Sequence, residues 1–131
     1  MLITYDGGMR FTVQAGAHTI VIDQPVRGGG EDAGPSPTEL LAASAGSCVG
    51  TFILYYLRKR DLDGTGLRIE VNYTYAEHPR RMDRIETRVF LPPQIDDEHL
   101  PGLSKFAQEC TVHNTLHGMP EVPIAFVRDE P

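Results

Sequence analysis

Cys48 and Cys110 are the residues of this chain best suited to chemistry, and they are its only cysteines. A thiolate attacks electrophiles, and two thiols can alternate between a dithiol and a disulfide. Cys48 ends the stretch GPSPTELLAASAGSC, Gly34 to Cys48, which opens on helix-start residues and leads into the least polar run of the sequence. A cysteine among Ala, Val and Phe is ordinarily a small packing residue, so packing is the plain reading of Cys48 and reactivity the alternative. It stands about three turns into its helix, beyond the first-turn reach of that helix's dipole. A thiolate there needs a nearby cation. Arg10 and Arg27, both ahead of the helix, are the candidates; otherwise they are ordinary solvated arginines.

Cys110 is expected at the C-terminal end of a second helix. The negative end of the dipole raises a thiol pKa there, which makes Cys110 a poor first nucleophile and a better partner for an already oxidised Cys48. The two lie 62 positions apart, which fixes nothing about their distance. The remaining motifs are weak. Cys110 and His113 have C-x-x-H spacing, but one such pair is not a zinc site. GGGEDAG lacks the Lys and Ser/Thr of a P-loop, and its two acids repel phosphate. Glu39 completes an S-x-x-E capping box and reads as a cap. No carboxylate pairs with His113 in the sequence, so it reads as a structural or solvated histidine.

The elements that hold these residues have readable signals. Phe11–Val13 and Thr19–Ile22 form a short β-pair across QAGA, followed by the long Gly/Pro-rich loop DQPVRGGGEDAGPS. Ser36 as N-cap, Pro37 at the first helical position and Glu39 three residues after the cap start a helix that runs to about Arg60. It is roughly 35 Å long. Leu40 to Leu57 carries no charge and reaches the lower length limit of a membrane span. Removing it would leave two half-apolar hairpins uncovered, so it reads instead as a central helix buried on nearly all sides. Ala42, Gly46 and Gly50 recur every four residues and permit close approach of another backbone. Such a helix needs more cover than one small sheet, which points to a partner subunit. Leu67 to Tyr75 and Ile85 to Leu91 alternate as a long hairpin across HPRR. Asp96 or Asp97 caps a second helix with Leu100, Leu103, Phe106 and Ala107 at helical spacing, ending near Cys110. The last strand is expected at Val122–Val127, with Pro123 marking an edge.

Length and composition bound the function. The 131 residues suit one domain, 1–131, and 40% apolar with 23% charged residues is the balance of a globular protein. A net charge of −6 without a basic cluster speaks against nucleic acid as a partner. The opening MLITYDGGMR has no basic segment followed by an apolar one, so no signal peptide is expected. Two cysteines are too few for a disulfide scaffold, and a reducing, cytoplasmic setting follows. No metal or prosthetic group is expected.

GPSPTELLAASAGSC on a helix, then a long hairpin, then FAQECTVHNTL resembles the OsmC/Ohr family of thiol-dependent hydroperoxide reductases. The likeness runs from about Gly8 to Phe126 and is closest to the OsmC-like branch. It implies an α+β fold, with antiparallel β-sheets wrapped around a long central helix in an intertwined homodimer, and active sites at the dimer interface. It matches Cys48 to the peroxidatic cysteine and Cys110 to the resolving one. The family's peroxidases carry a Glu directly after the Pro of the helix start, paired with an activating Arg; Thr38 stands at that position here. The reading is a cysteine peroxidase that reduces organic hydroperoxides in oxidative stress defence. It passes through a Cys48–Cys110 disulfide that an external dithiol reductant restores. Leu41, Phe52 and Tyr55 supply apolar surroundings for the substrate. The rivals are a Cys–His acyl hydrolase using Cys48 and His113, and a non-catalytic binding module for a small apolar ligand.

Overall fold

The computed structural model describes residues 1–128. A capping box starts the central helix α1, Pro37–Arg58. Ser36 Oγ accepts from the Glu39 N–H at 3.4 Å, and Glu39 Oε2 accepts from the Ser36 N–H at 2.7 Å. The helix stops within two residues of the expected end, where Asp61 turns left-handed at φ 53°.

The hairpin follows the alternation read from the sequence. Strand β4, Arg68–Glu77, pairs antiparallel with β5, Arg80–Phe90. Ile69 and Val71 point from β4 onto α1, and the small-residue stripe of the helix receives them. A Cβ on Gly46 would stand 2.5 Å from Val71 Cγ2, and one on Gly50 2.5 Å from Ile69 Cδ1. Of the stripe Ala42, Gly46 and Gly50, the close approach at the two glycines is therefore made by strand side chains of the same chain.

The main core lies at the C-terminal half of α1. Ile53, Tyr56 and Leu57 pack on Ile95 and Leu103, with Val49, Leu91 and Phe106 around them. Leu103 and Phe106 belong to α2, Leu100–Gln108, which follows a single 3-10 turn at Asp97–His99. Asp96 and Asp97 were the expected caps, but neither side chain bonds the helix start; His99 precedes α2 instead, and its Nδ1 meets Tyr56 Oη at 3.1 Å. By length and composition α1 could cross a membrane. Its packing against β4, β5, α2 and a further helix α3 makes it the core helix of a globular fold.

Four expectations are corrected. A strand not foreseen, β1 at Leu2–Gly7, pairs with β2, Arg10–Ala15, which pairs with β3, His18–Ile22, in a three-stranded antiparallel sheet. It packs mainly within itself, and Leu2, Ile3 and Tyr5 are exposed. Second, α1 is not covered on all sides: Leu41, Leu54 and Tyr55 are exposed along one face, because the two-stranded hairpin and α2 wrap only the other. Third, Val122–Val127 forms no strand; Val122, Ile124, Phe126 and Val127 lie exposed, because no strand edge of this chain runs beside them. Fourth, α2 ends two residues before Cys110, near the expected point, but an unforeseen third helix, α3, follows at once over Thr111–Gly118.

Candidate active site

The fourth correction reshapes the cysteine site. Cys110 follows α2 but is itself the N-cap of α3, with non-helical backbone (φ −56°, ψ 123°). Its Sγ accepts from the His113 N–H at 3.3 Å, the bond a Ser or Asp oxygen makes at other helix starts. Cys110 is completely buried. It neighbours Cys48, which is half-buried in the fourth turn of α1, and each thiol shifts the pKa of the other.

The same helix start serves Cys48. The backbone N–H groups of Val112 and Thr111, in the first turn of α3, favour the anion of its sulfur. Burial raises the Cys48 pKa, but the hydrogen bond from Cys110 and those from Val112 and Thr111 outweigh it. The net shift is downward from the ordinary thiol value. For Cys110 the net shift is upward: burial disfavours its anion, and its hydrogen bond to Cys48 holds its proton in place. The two thiol pKa values are ordered as expected, with a different cause. Cys48 does sit at the positive end of a helix, but of α3 rather than of its own, and Cys110 is held neutral by burial rather than by the C-terminus of α2.

Neither arginine reaches this site within one chain. Arg10 Nη1 pairs with Glu31 Oε2 at 3.4 Å. Arg27, in a 3-10 turn at Val26–Gly28, acts electrostatically on Glu39 and Tyr73 at the start of α1. Glu39 and Cys48 are nine residues apart on α1, about 14 Å along its axis. Glu39 is occupied by the capping box and its pKa is lowered by the Ser36 backbone and hydroxyl. Thr38 accepts a hydrogen bond from Tyr75 Oη at 3.1 Å.

The three apolar candidates line up on α1 with Cys48 but do not share one pocket. Phe52 and Tyr55 meet edge to face, centroids 5.5 Å apart, and with Arg58, Lys59, Phe106 and Glu109 they line a groove of about 490 Å³. Leu41, seven residues before Cys48, lies exposed toward the other end of the helix. His113 gives its backbone N–H to Cys110, while its ring is exposed and turned to His117, centroids 4.4 Å apart.

The sequence reading missed Thr111 and Val112, because their role is carried by backbone and depends on α3. A signal for α3 was present: Val112 and Leu116 are spaced i, i+4, and Gly118 followed by Pro120 is a helix stop.

Comparison with known proteins agrees with this architecture. No curated protein matches the sequence. Among solved structures, a candidate osmotic stress induced and detoxification response protein from Psychrobacter arcticus is 29% identical with a TM-score of 0.81, covering 87% of this chain and 85% of that one. An OsmC like protein from Mycoplasma pneumoniae is 16% identical (TM-score 0.70, 83% and 79% covered). A protein from Legionella pneumophila, described as an organic hydroperoxide resistance protein OsmC and predicted redox protein, is 18% identical (TM-score 0.60, 89% and 88% covered). The last two share the fold. The family model described as OsmC-like protein matches residues 28–125, a span that holds both cysteines and every element from the Gly-rich loop through α3, and the chain belongs to that family.

Proposed function

We propose that this protein is a thiol peroxidase that reduces organic hydroperoxides in oxidative stress defence, as a cytoplasmic homodimer. Family membership and the redox description of the Legionella neighbour support a general stress or redox role. The observation that carries the finer reading is the pairing of Cys48 with Cys110 under the first-turn N–H groups of α3. In the first step the Cys48 thiolate attacks the outer oxygen of the hydroperoxide. The O–O bond breaks, the alkoxide takes a proton from solvent and leaves as alcohol, and Cys48 becomes a sulfenic acid. In the second step the Cys110 sulfur attacks the Cys48 sulfur. A disulfide forms and water leaves with the Cys110 proton. An external dithiol reduces the disulfide by exchange.

The exposed face of α1 and the unpaired segment at Val122–Val127 support a second copy of the chain as the missing cover. A large apolar face left open on a short chain is the mark of an obligate partner. In that dimer the active sites lie at the interface, and Arg10 or Arg27 of the second copy supplies the cation that one chain does not bring to Cys48.

Peroxide consumption with a dithiol reductant tests the reading. Cys48→Ser abolishes it. Cys110→Ser permits one turnover and leaves Cys48 as a sulfenic acid that a dimedone-type reagent traps. The Cys–His hydrolase reading instead expects Cys110→Ser to keep full acyl hydrolase activity, and the ligand-binding module expects neither thiol to oxidise at low peroxide.

A further inference from the structure

His113 and His117 sit one turn apart on α3, and both are exposed. Their rings lie with centroids 4.4 Å apart and planes inclined by 51°. Among the described residues neither ring takes part in a hydrogen bond or an ion pair. They stand at the mouth of a cavity of about 430 Å³ between α3, α1 and β5. From α1 that cavity receives only the apolar Ala45 and Val49; from β5 it receives Met82, Asp83 and Arg84. Arg84 is paired with Glu86 at 3.4 Å. Asp83 accepts the Thr74 hydroxyl at 2.6 Å, and both side chains are exposed.

Imidazoles at i, i+4 are side-by-side neighbours on a helix surface. Two ligands bound cis to one metal at about 2.0–2.1 Å have nitrogens roughly 3 Å apart. Rings already 4.4 Å apart reach that spacing by rotating about their side-chain bonds, without moving the helix. We propose that His113 and His117 form a surface chelate for a first-row transition-metal ion, with water completing the coordination sphere on the cavity side. Among the described residues no cluster of three or more His, Cys, Asp or Glu encloses a metal. The chelate is therefore two-pointed and open. Imidazole selects Cu, Ni and Zn over the hard cations Mg and Ca. The proposal is independent of the peroxidase reading. It does have a consequence for the thiols: an ion that bridges His113 and His117 holds the first two turns of α3 helical, and those turns carry the N–H groups that face Cys48.

The test uses tag-free protein carrying Cys48→Ser and Cys110→Ser. The pair of changes removes the competing thiols, while the hydroxyl introduced by Cys110→Ser retains an N-cap oxygen for α3. Calorimetric titration with Ni2+ and Cu2+ is expected to show one site per chain. Cu2+ binds more tightly than Ni2+, and both weaken on acidification because each ligand must be a neutral imidazole. Adding His113→Asn or His117→Asn lowers affinity at least tenfold. Absence of binding, or affinity unchanged by either His replacement, overturns the proposal. Because a replacement can disturb α3, a second readout uses the two-serine protein alone. Trace Cu2+ is expected to broaden the ring proton signals of His113 and His117 before those of His18, His78 and His99, and broadening that begins elsewhere overturns it.

Discussion

Cys48 and Thr111 belong to different helices, yet the backbone N–H of Thr111 helps to lower the Cys48 pKa. This sets the sulfur of one helix at the positive end of another. Val112 acts in the same way, and Cys110, which caps that helix, is the neighbouring thiol. One short segment, Cys110 to Val112, therefore contributes both the second sulfur and the groups that stabilise the anion of the first.

The two thiols will titrate apart. Cys48 is shifted below the ordinary value of 9.0 and Cys110 above it. Iodoacetamide at neutral pH will alkylate Cys48 first, with Cys110 reacting only on denaturation. The lowered Cys48 pKa adds stability that is fully present above pH 9.0 and lost as pH falls through the lowered value. The raised Cys110 pKa adds stability present below pH 9.0 and lost as pH rises through the raised value. Equal alkylation profiles would contradict this.

Oxidation will loosen α3. A disulfide sulfur is a weaker acceptor than a thiolate, so the N–H groups of Thr111 and Val112 lose the anion at Cys48, whereas His113 faces a neutral Cys110 sulfur before and after. Losing one hydrogen bond to a charged group costs about 1.5–3 kcal/mol, and each 1.4 kcal/mol is about tenfold in an opening equilibrium. Hydrogen exchange across 111–118 is expected to speed up by at least about tenfold in the disulfide form. Unchanged protection would remove the thiolate from the account of α3.

Gly46→Ala and Gly50→Ala will differ in stability. Each gains about 1 kcal/mol of helix propensity and meets an overpacking cost of roughly 1–3 kcal/mol. At Gly46 the added methyl meets Val71 Cγ2, held by one torsion; at Gly50 it meets Ile69 Cδ1, which a second torsion can swing aside. Thermal melts should show Gly46→Ala as the more damaging change.

Leu41→Asp and Leu54→Asp place charges on the exposed face of α1. In a monomer such surface changes alter stability by less than about 0.5 kcal/mol. Sedimentation is expected to show a dimer for the native chain and dissociation for these variants. A folded native monomer at micromolar concentration would remove the homodimer from the proposal.

Arg10→Ala or Arg27→Ala will raise the pH at which Cys48 alkylates, one much more than the other. An unchanged profile in both would leave α3 as the sole source of activation.

The parts of the fold legible in the sequence were those with local punctuation or strict periodicity. The Ser36–Pro37–Glu39 signal located the start of α1 to the residue, and the alternation of Leu67 to Tyr75 with Ile85 to Leu91 located the long hairpin. Strand β1 escaped because LITYDG is exposed on both faces and shows no buried alternation. The Val122–Val127 alternation was real, but a strand also needs a neighbouring edge, which a one-chain pattern cannot supply. At the site, the two cysteines as candidates and the order of their thiol pKa values were legible. The source of that order was not, because Cys48 is served by backbone from a helix far along the chain, and backbone N–H groups have no sequence signature of their own.

Intact mass measurement after one equivalent of cumene hydroperoxide tests the central claim most directly. The reduced chain is expected to lose two hydrogens, about 2 Da, with peptide mapping placing the bond between Cys48 and Cys110. An unchanged mass, or an oxygen added stably to Cys48 while Cys110 stays a free thiol, would contradict it.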